Sequence, residues 1–266
     1  MMTLDIRTEK TQNPKPRPAD HEPSFGKFYK DPVLISEWAE GRGWDASRIE
    51  PYHKLALDPA ASTLHYGQAL FEGLKAFRHA DGRIFLFRVD AHARRMHRGA
   101  ARLCMPALEA DDFVQAMKSF VLADQDWVPK TPGTALYLRP TLIANEPFVG
   151  VRPAPTCPVF TIASPVGYHH GGQGLKPVRI WVEREQVRAA PGGLGAVKAA
   201  ANYAASLQAA VAAKKNGFDQ VLWLDAKEHE YVEEVGTMNL FMVIGGKLVT
   251  PPLSDSILAG VTRDSI

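Results

Sequence analysis

Hydrophobic and polar positions follow two different spacings in the part of the chain before residue 165. Short apolar runs, one of them directly after the turn signal Asp81-Gly82, predict strands at residues 33–35, 83–87, 135–139 and 158–163. Between these runs, apolar residues at helical spacing predict helices over residues 88–104 and 111–123. Asp111 or Asp112 is a suitable N-cap for the second helix. Strands and helices mixed in this way indicate an α/β (mixed α+β) fold.

The pattern starts again after a segment rich in glycine and histidine. We take residues 166–176 as a connector between two domains, because this composition favours a loop. Beyond it, the sequence predicts strands at 178–182 and 220–225, a helix over 199–216 that ends at Gly217, and a hairpin of 240–244 and 247–250 around Gly245-Gly246. We therefore expect a loose, flexible arm at residues 1–24, a smaller N-terminal domain at 25–165 and a second domain at 177–266.

The charge distribution argues against a nucleic-acid partner. The 31 basic and 29 acidic residues are mixed along the 266-residue chain, so the net charge of +2 is not gathered into a basic stripe. A small molecule is the expected partner. Cys104 and Cys157 are too few for a disulfide scaffold and lack metal-ligand spacing, so we expect ordinary buried thiols in a reducing compartment and no metal. The absence of an apolar signal core or membrane-length stretch predicts a cytoplasmic protein that does not contact a membrane.

The stretch GGLGAVKAAANYAAS, residues 192–206, places Lys198 between a glycine cluster and an alanine tract. A nucleotide-binding loop is disfavoured, because Lys198 follows Val197 rather than the glycine of a P-loop, and a dinucleotide motif would need a third glycine. Two interpretations remain. The lysine keeps an alanine-rich helix soluble, or it is a nucleophilic amine whose pKa is lowered by apolar surroundings, as covalent binding of an aldehyde cofactor requires.

Other segments offer the groups that a pyridoxal phosphate site needs, a carboxylate for the ring nitrogen and cationic or helix-terminal groups for the phosphate. Glu233-Glu234 precedes a glycine-containing turn, although a solvated acidic pair has the same pattern. Gly260-Val261-Thr262 leads into a predicted helix and offers N–H groups to a phosphate, or it is an ordinary capped turn. Arg95 and Arg188 add positive charge, or they lie on the surface as most arginines do.

Five segments taken together resemble the branched-chain amino-acid aminotransferases, which are class IV, fold-type IV pyridoxal phosphate enzymes. In chain order they are HYGQALFEGLKA (65–76), YLRPT (137–141), the lysine segment 192–206, EVGTMN (234–239) and GVTRDS (260–265). The resemblance extends over residues 25–266. It implies a two-domain architecture in which residues 177–266 belong to the larger, cofactor-binding domain.

The resemblance also implies which residues bind pyridoxal 5'-phosphate. Lys198 matches the catalytic lysine that carries the cofactor, Glu234 matches the carboxylate that pairs with the pyridine nitrogen, and Tyr203 matches the tyrosine that contacts the ring oxygen. Positions near the phosphate are matched by Arg95, Arg188, Val261 and Thr262.

For the substrate, the resemblance implies one pocket that accepts leucine, isoleucine and valine as well as glutamate. Thr237-Met238 matches the turn that receives the α-carboxylate, and Arg139 matches the arginine that recognises the distal carboxylate of glutamate. Apolar pocket positions are matched by Phe25, Tyr66, Phe71 and Tyr137. The exchange of the amino group with 2-oxoglutarate and a homodimeric assembly are implied in the same way.

Two alternatives stay open. Another class IV enzyme, a D-amino-acid transaminase or an aminodeoxychorismate-type lyase, would use the same cofactor, although Tyr137-Leu138-Arg139 and Thr237-Met238 favour the branched-chain group. Family members generally continue well beyond the segment matched by residues 260–265. The resemblance therefore also implies a truncated C-terminal part and leaves a catalytically inactive chain as the second alternative.

Overall fold

The computed structural model describes residues 4–18, 26–167 and 177–266 of the chain. The chain divides into two compact units, Met1–Gly174 and Leu175–Ile266. Its mixture of strands and helices confirms the expected α/β (mixed α+β) class. Phe25 and residues 168–176 lie outside the described residues, so the connector stays a prediction. Within the described ranges, the helices are too short or too polar to cross a membrane.

The first unit is built on a large, mainly antiparallel sheet. Its described strands are β1 (Ile6–Thr8), β2 (Pro32–Ala39), β3 (Gly43–Trp44), β4 (Ser47–Pro51), β5 (Ala69–Phe71), β6 (Leu74–Arg78), β7 (Ile84–Leu86), β8 (Ala135–Ile143) and β9 (Thr156–Val166). They are connected in the order β1-β4-β2-β9-β8-β6-β7, with β3 paired to β2 and β5 paired to β8. The helices are α1 (Ser62–Tyr66), α2 (Val89–Arg102) and α3 (Ala110–Leu122), followed by a short 3-10 helix at Gln125–Trp127.

The strands β8 and β9 form the centre of this sheet. They pair antiparallel from Ala135 opposite Val166 to Leu142 opposite Val159, and buried and half-buried positions alternate along much of both strands. The buried residues of α3 follow the spacing of a helix that packs by one face and are Phe113, Ala116, Met117, Phe120 and Val121. The four strands predicted before the connector are confirmed as β2, β7, β8 and β9, although β7 is shorter than the predicted strand at 83–87.

The second unit contains two small sheets. In the first, β10 (Ile180–Val182) runs parallel to β11 (Gln220–Leu224), and β11 pairs antiparallel with β12 (Val232–Val235). In the second, β13 (Met242–Ile244) and β14 (Lys247–Val249) form the hairpin predicted around Gly245-Gly246. The helices are α4 (Ala200–Ala205), α5 (Leu207–Lys215) and α6 (Val261–Ser265). A core cluster joins α5 to β11 and consists of Ala209, Ala213, Val221 and Trp223, with Trp181 and Phe218 packed against it.

The predicted helix over 199–216 is two helices rather than one. It is interrupted at Ser206, whose hydroxyl donates a 2.8 Å hydrogen bond to the carbonyl oxygen of Tyr203. In a continuous helix that carbonyl would accept the amide of Leu207, so the serine side chain competes with the helical ladder. The predicted end is confirmed, because α5 stops at Lys215 and Gly217 has a φ of 78°.

The predicted N-cap of α3 is wrong. The helix begins one residue earlier than expected, so Glu109 is its N-cap, and that residue makes no side-chain capping hydrogen bond. Asp111 and Asp112 therefore lie inside the first turn. Their negative charges still favour the helix there, because the N-terminal end of the helix dipole is positive.

The loose arm expected at residues 1–24 is wrong for its first part. Ile6–Thr8 forms β1, which pairs in parallel with Ser47–Ile49 at one edge of the large sheet. The carbonyl oxygen of Leu4 also accepts a 3.1 Å hydrogen bond from Nε2 of Gln115 on α3. Backbone pairing with an open sheet edge thus orders a segment whose composition alone is too polar to form a core.

Lys30 has no exposed surface and lies against the end of α3. Its Nζ donates hydrogen bonds to the carbonyl oxygens of Phe120 and Val121, the latter at 3.4 Å, and lies 4.5 Å from the centroid of the Phe120 ring. Burial lowers the pKa of Lys30 to about 7, and the charge of Asp124 opposes this shift only in part. The last carbonyl oxygens of α3 therefore accept hydrogen bonds from the Lys30 amine, whose protonated form is destabilised by burial.

We expect the free energy of unfolding of the full chain to rise with pH between about pH 7 and 10. In that window the unfolded chain holds a proton that folded Lys30 has released, because the folded pKa is about 7 and the ordinary value is 10.5. The contribution of Lys30 to the slope of the unfolding free energy approaches about 1.4 kcal/mol per pH unit. This contribution disappears at lower pH, where Lys30 is protonated in both the folded and the unfolded state. Urea denaturation of the wild type and of Lys30→Met measures it, since methionine does not titrate. Equal pH slopes for the two proteins would contradict this prediction.

Candidate active site

Lys198 lies in the second unit, in the segment that leads into α4. The preceding turn is held by Asn202, whose Nδ2 donates 2.8 Å hydrogen bonds to the carbonyl oxygens of both Leu194 and Val197. The N-cap of α4 is Ala199, so Lys198 precedes the helix and does not lie on its surface. The interpretation of a solubilising lysine on an alanine helix therefore does not describe its position. Asn202 carried no role in the sequence analysis, although a polar amide inside an alanine tract is a signal for such a contact.

The amine of Lys198 is paired with a phenol. Nζ of Lys198 donates a 2.8 Å hydrogen bond to the hydroxyl of Tyr203 and lies 5.1 Å from the centroid of its ring. Both residues are half-buried. The structure thus brings together two residues that the family motifs assigned to one site, and it directs the amine to a polar partner.

Glu234 is a buried carboxylate on β12, with 2% of its surface exposed. Its Oε1 accepts hydrogen bonds from Nδ2 of Asn239 at 2.9 Å and from the amide of Leu258 at 3.1 Å. Burial raises the pKa of Glu234 above its ordinary value, and the charge of Arg188 and the amide of Leu258 offset this increase only in part. A solvated acidic pair is therefore excluded for Glu234. Asn239 was not assigned a role from the sequence, but it holds this carboxylate in place.

Arg188 is buried beside Glu234 and not on the surface. Its Nε lies 2.8 Å from Oε2 of Glu234, an ion pair that lacks the angle of a hydrogen bond. Its Nη2 donates to the carbonyl oxygen of Gly195 at 3.0 Å and to that of Ser256. One guanidinium therefore ties the turn before Lys198 to the carboxylate and to the segment around Ser256.

The glycines before Lys198 have a packing role. A Cβ on Gly195 would lie 2.5 Å from the backbone of Ser256, so a larger residue would push the two segments apart. A second close approach occurs at Gly260, where a Cβ would lie 1.9 Å from Oδ1 of Asn239. These contacts keep the lysine turn and the start of α6 against the groups that surround Glu234.

The turn after β12 is tight. Gly236 has a φ of 57°, and its carbonyl oxygen accepts a 2.9 Å hydrogen bond from Nε1 of Trp223. Val235 and Met238 exchange backbone hydrogen bonds of 2.9 and 3.0 Å across the turn. Thr237 and Met238 are both exposed, as residues that receive a ligand need to be.

A cavity within the second unit joins several of these groups. It is lined by Arg188, Asn202, Tyr203, Ser206, Glu234, Gly236, Thr237 and Leu258. Val261 is buried at the first position of α6 and Thr262 is exposed at the second. A buried carboxylate, a phenol that accepts a hydrogen bond from an amine, and a guanidinium match the polar groups of pyridoxal phosphate in kind, and the cavity that they share is small, about 10 Å³.

The remaining described candidates lie in the first unit, and three of them form one cluster. The guanidinium carbon of Arg139 lies 4.5 Å from the centroid of the Phe71 ring and 5.2 Å from that of Tyr137. Nη2 and Nε of Arg139 donate to the Tyr137 hydroxyl at 2.9 and 3.2 Å. A Cβ on Gly73 would lie 2.0 Å from that hydroxyl.

Tyr137 and Arg139 also line a cavity of about 90 Å³. An arginine stacked on aromatic rings in such a cavity can receive a carboxylate while apolar groups contact the rings. Tyr66 ends α1 and is 42% exposed, and its ring centroid lies 6.1 Å from that of His65. Phe25 lies outside the described residues.

Arg95 is buried in α2, with 9% of its surface exposed. It forms a bidentate contact with Glu72, through Nε at 2.6 Å and Nη2 at 2.8 Å. Glu72 carried no role in the sequence analysis, and neither did His92, which contacts the same carboxylate. The three-residue spacing of His92 and Arg95 on a helix is the signal that places both side chains on one face.

Comparisons with known proteins agree on a single family. The profile of the amino-transferase class IV family matches residues 69–266. The branched-chain-amino-acid transaminase 1 of Bacillus subtilis is 51% identical over 260 residues, which are 98% of this chain and 73% of that relative. The branched-chain-amino-acid aminotransferase of Mycobacterium tuberculosis strain H37Rv is 50% identical over 250 residues, 92% of this chain and 68% of the relative.

Solved structures show the same architecture. The branched-chain aminotransferase of Thermoproteus uzoniensis with norvaline superposes with a TM-score of 0.71 at 26% identity, covering 87% of this chain and 73% of that one. The branched-chain amino acid aminotransferase of Escherichia coli gives a TM-score of 0.68 at 26% identity and covers 86% and 72% of the two chains. These matches confirm the fold-type IV architecture. The chain belongs to the class IV aminotransferases, in the group of the branched-chain-amino-acid aminotransferases.

Proposed function

We propose that this chain uses pyridoxal phosphate to transfer the amino group of leucine, isoleucine or valine to 2-oxoglutarate, giving branched 2-oxo acids and glutamate. The observation that carries the proposal is the cavity of the second unit, which the buried Glu234 and the phenol of Tyr203 line, with the amine of Lys198 bonded to that phenol. The names of the relatives supply the substrate class.

When bound, pyridoxal phosphate supplies an electron-withdrawing ring that accepts the electron pair released at the substrate Cα. Nζ of Lys198 would take the proton from the substrate Cα as a general base and would deliver a proton to C4′ of the cofactor as a general acid, so that the amino group leaves the substrate. The hydroxyl of Tyr203 orients that amine, at the 2.8 Å distance of the structure. The carboxylate of Glu234 holds the proton of the ring nitrogen and is itself fixed by Asn239 and the amide of Leu258.

The remaining roles follow the family resemblance. Arg95, Arg188, Val261 and Thr262 bind or lie near the phosphate, and Thr237-Met238 receives the substrate α-carboxylate. The buried side chains of Arg95 and Arg188 are each paired with a carboxylate, that of Glu72 and that of Glu234, and this pairing supports such roles because it fixes the direction of a guanidinium that can bind a phosphate. The apolar pocket positions are Phe25, Tyr66, Phe71 and Tyr137.

Two further assignments belong to this proposal. Arg139 binds the distal carboxylate of glutamate and 2-oxoglutarate, and its position on two aromatic rings supports a pocket for acidic and aliphatic side chains alike. A homodimer in the cytoplasm is the assembly and location that the sequence and the resemblance favour. A D-amino-acid transaminase is the second candidate, but the names of the relatives favour the branched-chain substrates.

Replacing Lys198 by alanine should abolish covalent cofactor binding and lower turnover by about 10²- to 10⁴-fold, because the general base is lost. Mass spectrometry after borohydride reduction locates the attached cofactor, and a leucine and 2-oxoglutarate assay measures turnover. Lys214→Ala on α5 is the matched control, because that lysine is exposed. A Lys198→Ala protein with full turnover, or a wild type that acts on D-alanine but not on leucine, would overturn the proposal.

Replacing Arg139 by methionine should separate the two kinds of substrate. We expect the KM for 2-oxoglutarate to rise by about 10²-fold, because a partner of a desolvated carboxylate is removed. The half-reaction with leucine should change by less than about threefold, since methionine still offers an apolar surface. Measurements of the two half-reactions, with leucine as the amino donor and with 2-oxoglutarate as the amino acceptor, give the comparison. Arg42→Met is the control because Arg42 is an exposed arginine of the same unit. Equal losses for both substrates would contradict the role of Arg139.

A further inference from the structure

Glu72 is a fully buried carboxylate in the first unit that the proposed function does not use. It lies between β5 and β6 and has no exposed surface. Its amide donates a 2.8 Å hydrogen bond to the carbonyl oxygen of Pro140 on β8, so the backbone at this position is fixed by the sheet. A buried charge in so rigid a place needs compensating partners.

Those partners come from one face of α2. Oε1 of Glu72 accepts from Nε of Arg95 at 2.6 Å, and Oε2 accepts from Nη2 of Arg95 at 2.8 Å. Nδ1 of His92 lies 2.7 Å from the same Oε2, and the amide of Gly73 donates to it at 3.2 Å. Burial raises the pKa of Glu72, but the hydrogen bonds from Arg95 and His92 outweigh it and hold the pKa at about 2. The carboxylate is therefore ionised at every physiological pH.

A bidentate contact fixes an arginine in a way that a single hydrogen bond does not. Two parallel N–H···O bonds define the plane and the direction of the guanidinium, whereas an unpaired arginine side chain samples many rotamers. An anion that meets a guanidinium already fixed in place does not have to order it. Glu72 is thus placed to set the orientation of Arg95 before any ligand binds.

The neighbours of Glu72 support a role in organising a site. Phe71 stacks on the guanidinium of Arg139, and Gly73 leaves the space that the Tyr137 hydroxyl occupies. Phe71, Glu72 and Gly73 therefore contact Arg139, Arg95 and Tyr137 in turn. The proposed function assigns a ligand to each of these three partners. The location of Glu72 in this segment favours a role at a ligand over a role in stability alone.

We infer that Glu72 is a positioning residue for the cofactor phosphate, acting through Arg95. The inference rests on the proposed function, in which Arg95 binds that phosphate. Two effects of Glu72 oppose each other, because its negative charge repels a phosphate while its bidentate contact aims the guanidinium at one. We take the orientation of the guanidinium to be the larger effect, so weaker binding of the phosphate is the expected result when Glu72 is replaced.

The test compares pyridoxal phosphate with pyridoxal, which lacks the phosphate. In the full-length chain, Glu72→Gln should weaken binding of pyridoxal phosphate by about tenfold and change pyridoxal binding by less than about twofold, because only the phosphate contacts Arg95. Glu37→Gln is the matched control, since Glu37 also pairs with an arginine of this unit but is nearly half exposed. Equilibrium dialysis measures both ligands.

A second variant keeps the inference testable if Glu72→Gln does not fold. Glu72→Asp retains the charge and withdraws it by one methylene, so it should show the same phosphate-selective loss if placement matters. In an Arg95→Lys background, the effect of either substitution should disappear, because lysine makes no bidentate contact.

Three results would overturn the inference. Tighter binding of pyridoxal phosphate by Glu72→Gln would show that charge repulsion is the larger effect. Equal weakening of both ligands would assign Glu72 to stability alone, and unchanged binding of both would show that Arg95 needs no positioning. A wild type that binds the two ligands equally, with no cofactor on Lys198, would instead refute the proposed function, and that result is distinguishable from the other three.

Discussion

The second unit depends on how the carboxylate of Glu234 is held. A carboxylate with 2% exposure is unfavourable unless its oxygens are satisfied, and the chain provides an amide side chain, a backbone amide and a guanidinium for them. Each partner comes from a different segment, so satisfying Glu234 also brings those segments together. The same guanidinium, that of Arg188, reaches the carbonyl oxygen of Gly195 just before Lys198. The position of the Lys198 amine is therefore linked to the position of the Glu234 carboxylate.

The first unit also contains a buried carboxylate paired with an arginine, but the pair connects different kinds of segment. There Glu72 is the buried carboxylate and Arg95 its guanidinium, but the pair joins a helix to the link between two strands of one sheet. Because the sheet fixes the acid, the arginine is the member whose orientation is set. In the second unit Arg188 also donates hydrogen bonds to two carbonyl oxygens. Arg188 and Glu234 therefore restrain each other. In both arrangements the side chains lose conformational freedom and the charged groups are held in defined positions.

Local patterns predicted the elements well and the links between them poorly. The hairpin at Gly245-Gly246 and the end of α5 at Gly217 depend on residues that are adjacent in sequence, so their signals were sufficient. The break at Ser206 depends on a hydrogen bond from its hydroxyl to one backbone carbonyl, and residue propensities do not predict such a bond. The ordering of Ile6–Thr8 depends on a strand that is distant in sequence, so composition alone gave the wrong expectation.

The site shows the same division between local and distant information. Family motifs indicated Lys198, Tyr203 and Glu234, and the structure brings the first two within hydrogen-bond distance and gives the third a common cavity with Tyr203. The supporting residues escaped notice because their function lies in what they contact. Asn202 and Asn239 look like ordinary polar residues until the carbonyl oxygens and the carboxylate that they bind are known. The motifs therefore indicated which residues to examine, whereas the amides and glycines that hold those residues in place are recognised only from three-dimensional contacts.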